Sequence, residues 1–350
     1  MITDVATGTS FGDLLVDEDR FDYLQATANS MPAMTMMGCV PATMKALQIP
    51  WIGKYVYPSA TEEKGMGRLL GFAQKMVGER FLPDAKNRIS KPDMLGSFIN
   101  HGLTEEEAVS ESMLQILAGS DTSAAAIRAI MLFVMTSPLV YNKLQAEIDS
   151  FAASLSPEAI ISDSQARELP YLQAVIREGL RIFPAGPGTM PKKVPPEGDT
   201  VNGVFVPGGT KIGHNVWSFM RSTETWGNDA TVFRPERWLE AGPEKMKQME
   251  RVADLLFGYG KYKCLGMNVA LMELNKVFFE VSSNSPPAWL TEVSAKASKL
   301  IRFGQLLRNF DWTLIDPLNP WHSDCLGLWI QKNLWVRVTA RLPKQERQGG

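Results

Sequence analysis

One long helical stretch constrains the fold more than any other feature of the sequence. It opens with Thr104-Glu105-Glu106-Glu107, a capping box with acidic residues in the first turn, and its apolar pattern stops before Pro138. A helix of about 32 residues is roughly 48 Å long, which is enough to cross a whole domain. The stretch therefore predicts a large, mainly helical domain.

The remaining patterns agree with a mainly α protein that carries small β-sheets. Glu63–Arg80 and Leu139–Phe151 have the apolar periodicity of amphipathic helices. Between Pro184 and Thr210 the chain becomes rich in proline and glycine, and a short extended piece occupies Gly203–Pro207. We expect a small sheet there, beside the helical body.

Composition excludes several classes of function. The chain has 350 residues, of which 45% are hydrophobic, and a net charge of −2, which does not favour nucleic acid as a partner. Its three cysteines and three histidines lack the spacing of a zinc or non-haem iron site. The three cysteines form no framework of pairs, which is consistent with a reducing compartment. Because no run of 18 apolar residues occurs, we expect no membrane span, and no secretory signal is found.

The segment Phe257–Gly266 places one cysteine, Cys264, between glycines and just before an apolar helical run. Backbone N–H groups at the start of a helix stabilise a thiolate, and the glycines let the backbone approach a flat, bulky group. Thiolate ligation of haem iron favours O–O cleavage. The plainer interpretation is a buried free cysteine in a glycine-rich turn.

A second segment, Ala118–Ser123, lies inside the long helix. Gly119 and Thr122 are poor helix formers, so we expect the helix to open there. Asp121 and Thr122 form an acid–alcohol pair suited to delivering protons for O–O heterolysis. The alternative is a patch of small residues for close helix packing.

Two further segments carry charges that can meet. Glu178 and Arg181 share one helix face at i and i+3, on a helix that begins near Pro170 and ends before Pro184. The segment Phe233–Trp238 contains Arg237, which can pair with them. Buried charges persist only when they are paired and hydrogen-bonded, so these three residues are predicted to be structural.

In their order along the chain, with the cysteine segment last, the four segments resemble the cytochrome P-450 superfamily of haem-thiolate monooxygenases, most closely its fungal microsomal members. The resemblance implies the P-450 fold and haem b, with Cys264 as axial ligand of the iron. It also implies Asp121 and Thr122 as catalytic residues in proton delivery. Contacts to the cofactor are implied for Phe257, Gly260, Tyr262, Gly266 and Lys192. At Tyr262 the sequence departs from the family, which usually has Arg or His there for a haem propionate.

The resemblance further implies a substrate pocket, a reaction and partners. The implied pocket residues are Gly119, Ala185, Gly186, Pro187, Gly188 and Thr189. The implied reaction inserts one oxygen atom of O2 into an apolar small molecule, as in fungal secondary metabolism. Electrons are expected from an NADPH-dependent flavoprotein reductase, with Lys261 and Lys263 offering positive charge for docking. The full-length family sits at the endoplasmic reticulum membrane, whereas this chain is expected to be cytoplasmic or peripheral.

Two departures from the family leave alternatives open. Residues 2–12 resemble a region that normally lies roughly 150 residues from the start, so we expect one partial domain over residues 1–350 that lacks the N-terminal portion of the fold. Residues 281–305 resemble nothing in the family and are interpreted as an insertion or a retained intron, which the genomic codons at Val281 and Gln305 would decide. An inactive fragment is therefore the alternative to a monooxygenase. A peroxide-using isomerase or dehydratase is a further alternative, although it needs no acid–threonine pair.

Overall fold

The computed structural model describes residues 2–16, 18–82, 92–155, 161–279 and 310–340, and these residues divide into two units. The first unit holds the described residues up to Asp121, and the second holds those from Thr122 onward. The long helix α8 (Glu105–Met135) contributes to both units. The prediction of a single domain stays a prediction, and residues 281–305 lie outside the described residues.

Seven helices precede the long helix among the described residues of the first unit. They are α1 (Ile2–Thr7), α2 (Asp13–Val16), α3 (Tyr23–Cys39), α4 (Pro41–Leu47), α5 (Pro50–Val56), α6 (Gly65–Phe81) and α7 (Met94–Asn100). Tyr23 and Leu69 of these helices form a buried core together with Ile116 of α8. Arg80 forms a buried ion pair with Asp93, and Asp93 also caps α7 by accepting a hydrogen bond from the backbone N–H of Gly96 at 2.8 Å.

The helices of the second unit pack around a larger apolar core. They are the end of α8, then α9 (Pro138–Ala152), α10 (Asp163–Arg167), α11 (Pro170–Ile182), α12 (Val216–Phe219), α13 (Thr223–Trp226), α14 (Arg237–Glu240), α15 (Pro243–Asp254) and α16 (Met267–Phe279). Ile130, Leu144, Leu172, Ile176 and Phe278 are fully buried or nearly so in that core. Burial of these side chains from four helices removes apolar surface from water and supplies the main stabilising term.

Four two-stranded antiparallel sheets complete the described part of the second unit. The strands are β1 (Lys192–Lys193), β2 (Asp199–Val201), β3 (Val204–Val206), β4 (Lys211–Ile212), β5 (Phe310–Leu314), β6 (His322–Cys325), β7 (Trp329–Lys332) and β8 (Val336–Ala340). β1 pairs with β4, β2 with β3, β5 with β8, and β6 with β7. The fold class is therefore mainly α with small sheets, as the sequence predicts.

The long helix departs from the sequence-based prediction at Gly119–Thr122. The expected opening is wrong, because α8 is an uninterrupted α-helix from Glu105 to Met135. A Cβ atom on Gly119 would lie 2.8 Å from Cγ1 and Cδ1 of Ile2, so the glycine permits close packing against the first helix. Close packing, which was the alternative, outweighs the weak helix propensity of these residues.

The same helix has the length and composition of a membrane span. It is the one described helix with an 18-residue window of sufficient hydropathy (mean hydropathy 1.3), and 44% of that window is buried within the structure. Central helices of globular domains share this composition. Its residues Ile116, Ala129, Ile130 and Val134 are almost fully buried against the rest of the protein.

Candidate active site

The cysteine loop is a tight turn that displays Cys264 at its end. Two short 3₁₀ turns, Leu255–Phe257 and Gly260–Tyr262, precede the cysteine, and helix α16 begins three residues after it. Gly258 and Gly260 have φ angles of 74° and 65°, which L side chains rarely adopt. The Cys264 N–H donates to the Phe257 carbonyl at 2.7 Å and closes the loop.

The thiol at the end of this loop is exposed, and so are the large side chains around it. Cys264 is a free, exposed cysteine. Leu265, Tyr259 and Tyr262 are 92%, 75% and 68% exposed. A Cβ atom on Gly266 would lie 3.8 Å from the Cys264 Sγ, so the backbone leaves room beside the sulfur. Contiguous exposed apolar surface of this kind marks an interaction or ligand-binding site.

A lysine from the first sheet reaches this loop. The Lys192 Nζ donates to the Tyr259 carbonyl at 2.9 Å and lies 5.5 Å from the centre of the Tyr262 ring. The Lys261 Nζ lies 5.8 Å from the same ring. Tyr262, which stands where the family usually has a basic residue, thus has two ammonium groups beside it. The structure thus brings Lys192 and Tyr262 together.

Glu178, Arg181 and Arg237 converge in the interior of the second unit. Their side chains are 0%, 0% and 3% exposed. The Arg181 guanidinium donates to both carboxylate oxygens of Glu178, at 2.7 and 2.9 Å, and the Arg237 Nε donates to Glu178 Oε1 at 2.9 Å. The Trp238 indole N–H and the Arg234 backbone N–H complete the carboxylate's shell. Every charge in this cluster is therefore paired, which is the condition for burying it.

The two arginines also hold the main chain of the loops that follow. Arg181 donates to the carbonyls of Met220, Ala230 and Val232, and Arg237 donates to those of Trp226, Asp229 and Val232. The cluster thus fixes residues 220–238 against helix α11.

Asp229 joins this cluster, and sequence reasoning missed it. Its carboxylate accepts hydrogen bonds from Arg234 at 2.6 Å and from Arg237 at 3.1 Å. Burial alone would raise the pKa of Asp229, but the two arginines outweigh burial and hold the pKa below its usual value. An aspartate in an irregular loop carries no periodicity or motif, so only its contacts reveal its role.

Asp121 and Thr122 lie half-buried in the middle of helix α8, where each has polar interactions. The next residue, Ser123, is buried, and it interacts with Glu273 of helix α16. Burial raises the pKa of Glu273, and the interaction with Ser123 only partly offsets this rise. Sequence reasoning missed Glu273, although an acid within an otherwise apolar run was a visible signal.

A comparison with known families shows which family the chain belongs to. The family model described as Cytochrome P450 matches residues 11–281. The chain belongs to the cytochrome P450 family. Cytochrome P450 monooxygenase ABA1 of Pyricularia oryzae is 38% identical over 342 residues, and aba1 of Botryotinia fuckeliana is 39% identical over 339 residues. Cytochrome P450 monooxygenase gsfF of Penicillium aethiopicum is 26% identical over 352 residues.

These three relatives are longer than the chain. Each match covers 97% of the chain, whereas it covers 61% of the first two relatives and 64% of the third. Membership of the cytochrome P450 family implies a haem cofactor, and the cysteine loop fits one. It offers an exposed thiol, an exposed apolar rim and the Lys192 ammonium group for a carboxylate.

The predicted pocket segment of this cytochrome P450 is the loop that follows helix α11. Ala185, Gly186 and Pro187 are half-buried, whereas Gly188 and Thr189 are exposed. The Gly188 carbonyl accepts a hydrogen bond from the Val216 N–H at 3.4 Å. Gly119, the sixth predicted pocket residue, lies in the first unit against Ile2.

Proposed function

We propose that this protein is a haem-thiolate monooxygenase that inserts one oxygen atom of O2 into an apolar small molecule. The observation that carries the proposal is the exposed Cys264 thiol, displayed on a glycine turn within a cytochrome P450 sequence. We further propose haem b as the cofactor and fungal secondary metabolism as the setting. The relatives reported above are fungal cytochrome P450 monooxygenases, which supports a fungal setting.

Each residue has a distinct part in this proposal. Cys264 would hold the iron as a thiolate, and Lys192 with Tyr262 would bind a propionate. The cofactor supplies O2 binding and O–O cleavage, which a thiolate ligand favours. Asp121 and Thr122 would hold and transfer protons, because an acid next to an alcohol can exchange protons with water. Glu178, Arg181 and Arg237 hold the loops of the second unit and take no part in the chemistry.

The partner proposed for electron supply is an NADPH-dependent flavoprotein reductase. Lys261 and Lys263 are exposed beside Cys264 and offer positive charge to an acidic docking surface. For the full-length protein we propose a location at the endoplasmic reticulum membrane, with the residues described here on its cytoplasmic side.

The carbon-monoxide difference spectrum of the reduced, haem-supplied chain tests the proposal. A strongly red-shifted Soret band is expected for wild type and is expected to be absent in Cys264→Ser. Cys39→Ser and Cys325→Ser are matched controls, since both cysteines are also free and exposed, and both variants should keep the band. If wild type takes up no haem, the inactive fragment is favoured. If the band persists in Cys264→Ser, the assignment of Cys264 as the ligand fails.

A further inference from the structure

The hydroxyl group of Tyr23 on helix α3 is buried in the first unit. Tyr23 is 6% exposed, and its hydroxyl oxygen is shielded from solvent and makes no hydrogen bond of ordinary geometry among the described residues. Buried phenol hydroxyls normally find a partner, because burying an unsatisfied hydroxyl costs free energy. The position of this phenol therefore indicates a partner that a small movement of the side chain can reach.

The Tyr23 side chain packs against the long helix α8. It belongs to one buried apolar cluster with Leu69 of α6 and Ile116 of α8. Ile116 lies about one turn before Ser120 and Asp121 on the same helix. Both Ser120 and Asp121 interact with the Tyr23 hydroxyl. The phenol of α3 thus meets α8 at the acid that the family resemblance assigns to proton delivery.

Asp121 is the strongest acceptor among the polar neighbours of this phenol. The Ser120 hydroxyl donates its proton to the Ile116 carbonyl at 2.7 Å, so only its lone pairs are left for Tyr23. The Asp19 carboxylate also acts on Tyr23, but its two oxygens accept backbone N–H groups at the start of α3, at 2.6 and 2.8 Å. A hydrogen bond to a charged carboxylate is roughly twice as strong as one between neutral groups. The chemistry therefore favours Asp121 as the acceptor.

We propose that Tyr23 is a positioning residue whose hydroxyl donates to the Asp121 carboxylate and fixes the orientation of that carboxylate for proton delivery. Burial and the nearby charge of Asp121 raise the pKa of Tyr23, so the phenol keeps its proton and remains a donor. Tyr23 acts through Asp121, which holds and exchanges the proton. The proposal rests on the proposed monooxygenase function, and it adds helix α3 to the elements that control the acid.

A hydrogen bond from Tyr23 to Ser120 alone is the competing possibility. The lone pairs of the Ser120 hydroxyl can accept from the phenol while its proton stays on the Ile116 carbonyl. In that case Tyr23 would fasten α3 to α8 and would have no influence on the carboxylate. Substitutions at two neighbouring positions of α8, Ser120 and Asp121, distinguish the two arrangements.

Urea unfolding of the full chain in a double-mutant cycle tests the contact, and it needs neither haem nor substrate. Tyr23→Phe removes only the hydroxyl and should raise the unfolding equilibrium constant about tenfold, the effect of losing a hydrogen bond to a charged group. In an Asp121→Ala background the same change should have less than about a twofold effect, whereas in a Ser120→Ala background it should remain about tenfold. Tyr171→Phe is the matched control, because Tyr171 is also buried and its hydroxyl donates to Glu236 at 2.9 Å. The effect of the control should be the same in every background.

Release of hydrogen peroxide measures the effect on proton delivery. Two electrons and two protons convert O2 to hydrogen peroxide, whereas complete reduction to water takes four of each. In the haem-loaded chain supplied with NADPH and a flavoprotein reductase, Tyr23→Phe should therefore raise the share of electrons recovered as peroxide about twofold or more, because Asp121 delivers protons less accurately. Tyr171→Phe should leave this share unchanged.

The outcomes separate the contact from the proposed function. Equal effects of Tyr23→Phe with and without the Asp121 carboxylate, or an effect that disappears in the Ser120→Ala background, would overturn the proposal. Coupling between Tyr23 and Asp121 without a rise in peroxide would also overturn it, because the contact would then only fasten two helices. Coupling in a chain that takes up no haem would refute the monooxygenase function and leave the contact standing.

Discussion

Replacing Arg237 with methionine should remove a large part of the stability of the second unit. The Arg237 side chain is 3% exposed and donates to Glu178, to Asp229 and to the carbonyls of Trp226 and Val232. Methionine fills a similar volume but supplies no donor, so these acceptors lose a buried partner. Breaking one member of a buried ion pair costs about 3–5 kcal/mol. Because Arg181 still neutralises Glu178, we expect a loss of about 4 kcal/mol rather than the upper limit.

Equilibrium unfolding in urea, followed by tryptophan fluorescence, measures this loss, and Arg234→Met is the matched control. Arg234 lies three residues before Arg237 and also binds Asp229, but its side chain is 37% exposed. Solvent screens such a pair, so the control should lose less than about 1 kcal/mol. Equal losses of stability in the two variants would contradict the reasoning, because burial would then have no influence on how much an ion pair stabilises the fold.

Three further predictions follow from described contacts. Glu273→Gln should gain stability over wild type as the pH rises above 4.5, because burial raises the pKa of Glu273 and the folded protein disfavours its charged form. Thermal unfolding between pH 4 and 8 measures the gain, and a difference in stability that does not change with pH would refute the prediction. Gly179→Ala should lower the free energy of unfolding by about 1–3 kcal/mol, because the new Cβ would lie 2.2 Å from Cγ1 of Ile130. A Cβ at Gly38 would have no atom within 4 Å, so Gly38→Ala should stabilise its helix. Urea unfolding distinguishes the loss from the gain. Tyr262→Arg should add a positive charge that binds a haem propionate, so haem should transfer more slowly from this variant to apomyoglobin. An unchanged transfer rate would mean that residue 262 does not contact the cofactor.

Local patterns in the sequence predict the helices well, because they depend on periodicity and on caps. The helix predicted over Glu63–Arg80 is Gly65–Phe81, and the one predicted over Leu139–Phe151 is Pro138–Ala152. At the start of α8, the Thr104 hydroxyl accepts from the Glu107 N–H, and the Glu107 carboxylate accepts from the Thr104 N–H. These bonds form between residues three apart, so they are visible in the sequence.

Contacts between segments that are far apart in the sequence cannot be predicted from such local patterns. The hairpin that carries Trp329 lies more than 140 residues beyond Pro184, and no periodicity connects the two. Asp229 likewise joins the buried arginines through loop geometry. The family resemblance leads to Cys264 and to the Glu178 cluster, whereas the hydrogen bond from Trp329 to the Pro184 carbonyl becomes visible only in the structure.

The buried cluster around Glu178 also sets an order of events during synthesis. Glu178 and Arg181 are three residues apart and can pair as soon as helix α11 forms. Arg237 lies 59 residues after Glu178. At the roughly 5–20 residues per second of translation, the ribosome needs about 3–12 s to add that stretch. For those seconds Glu178 and Arg181 already neutralise each other, so the apolar face of the helix can begin to pack before Arg237 arrives.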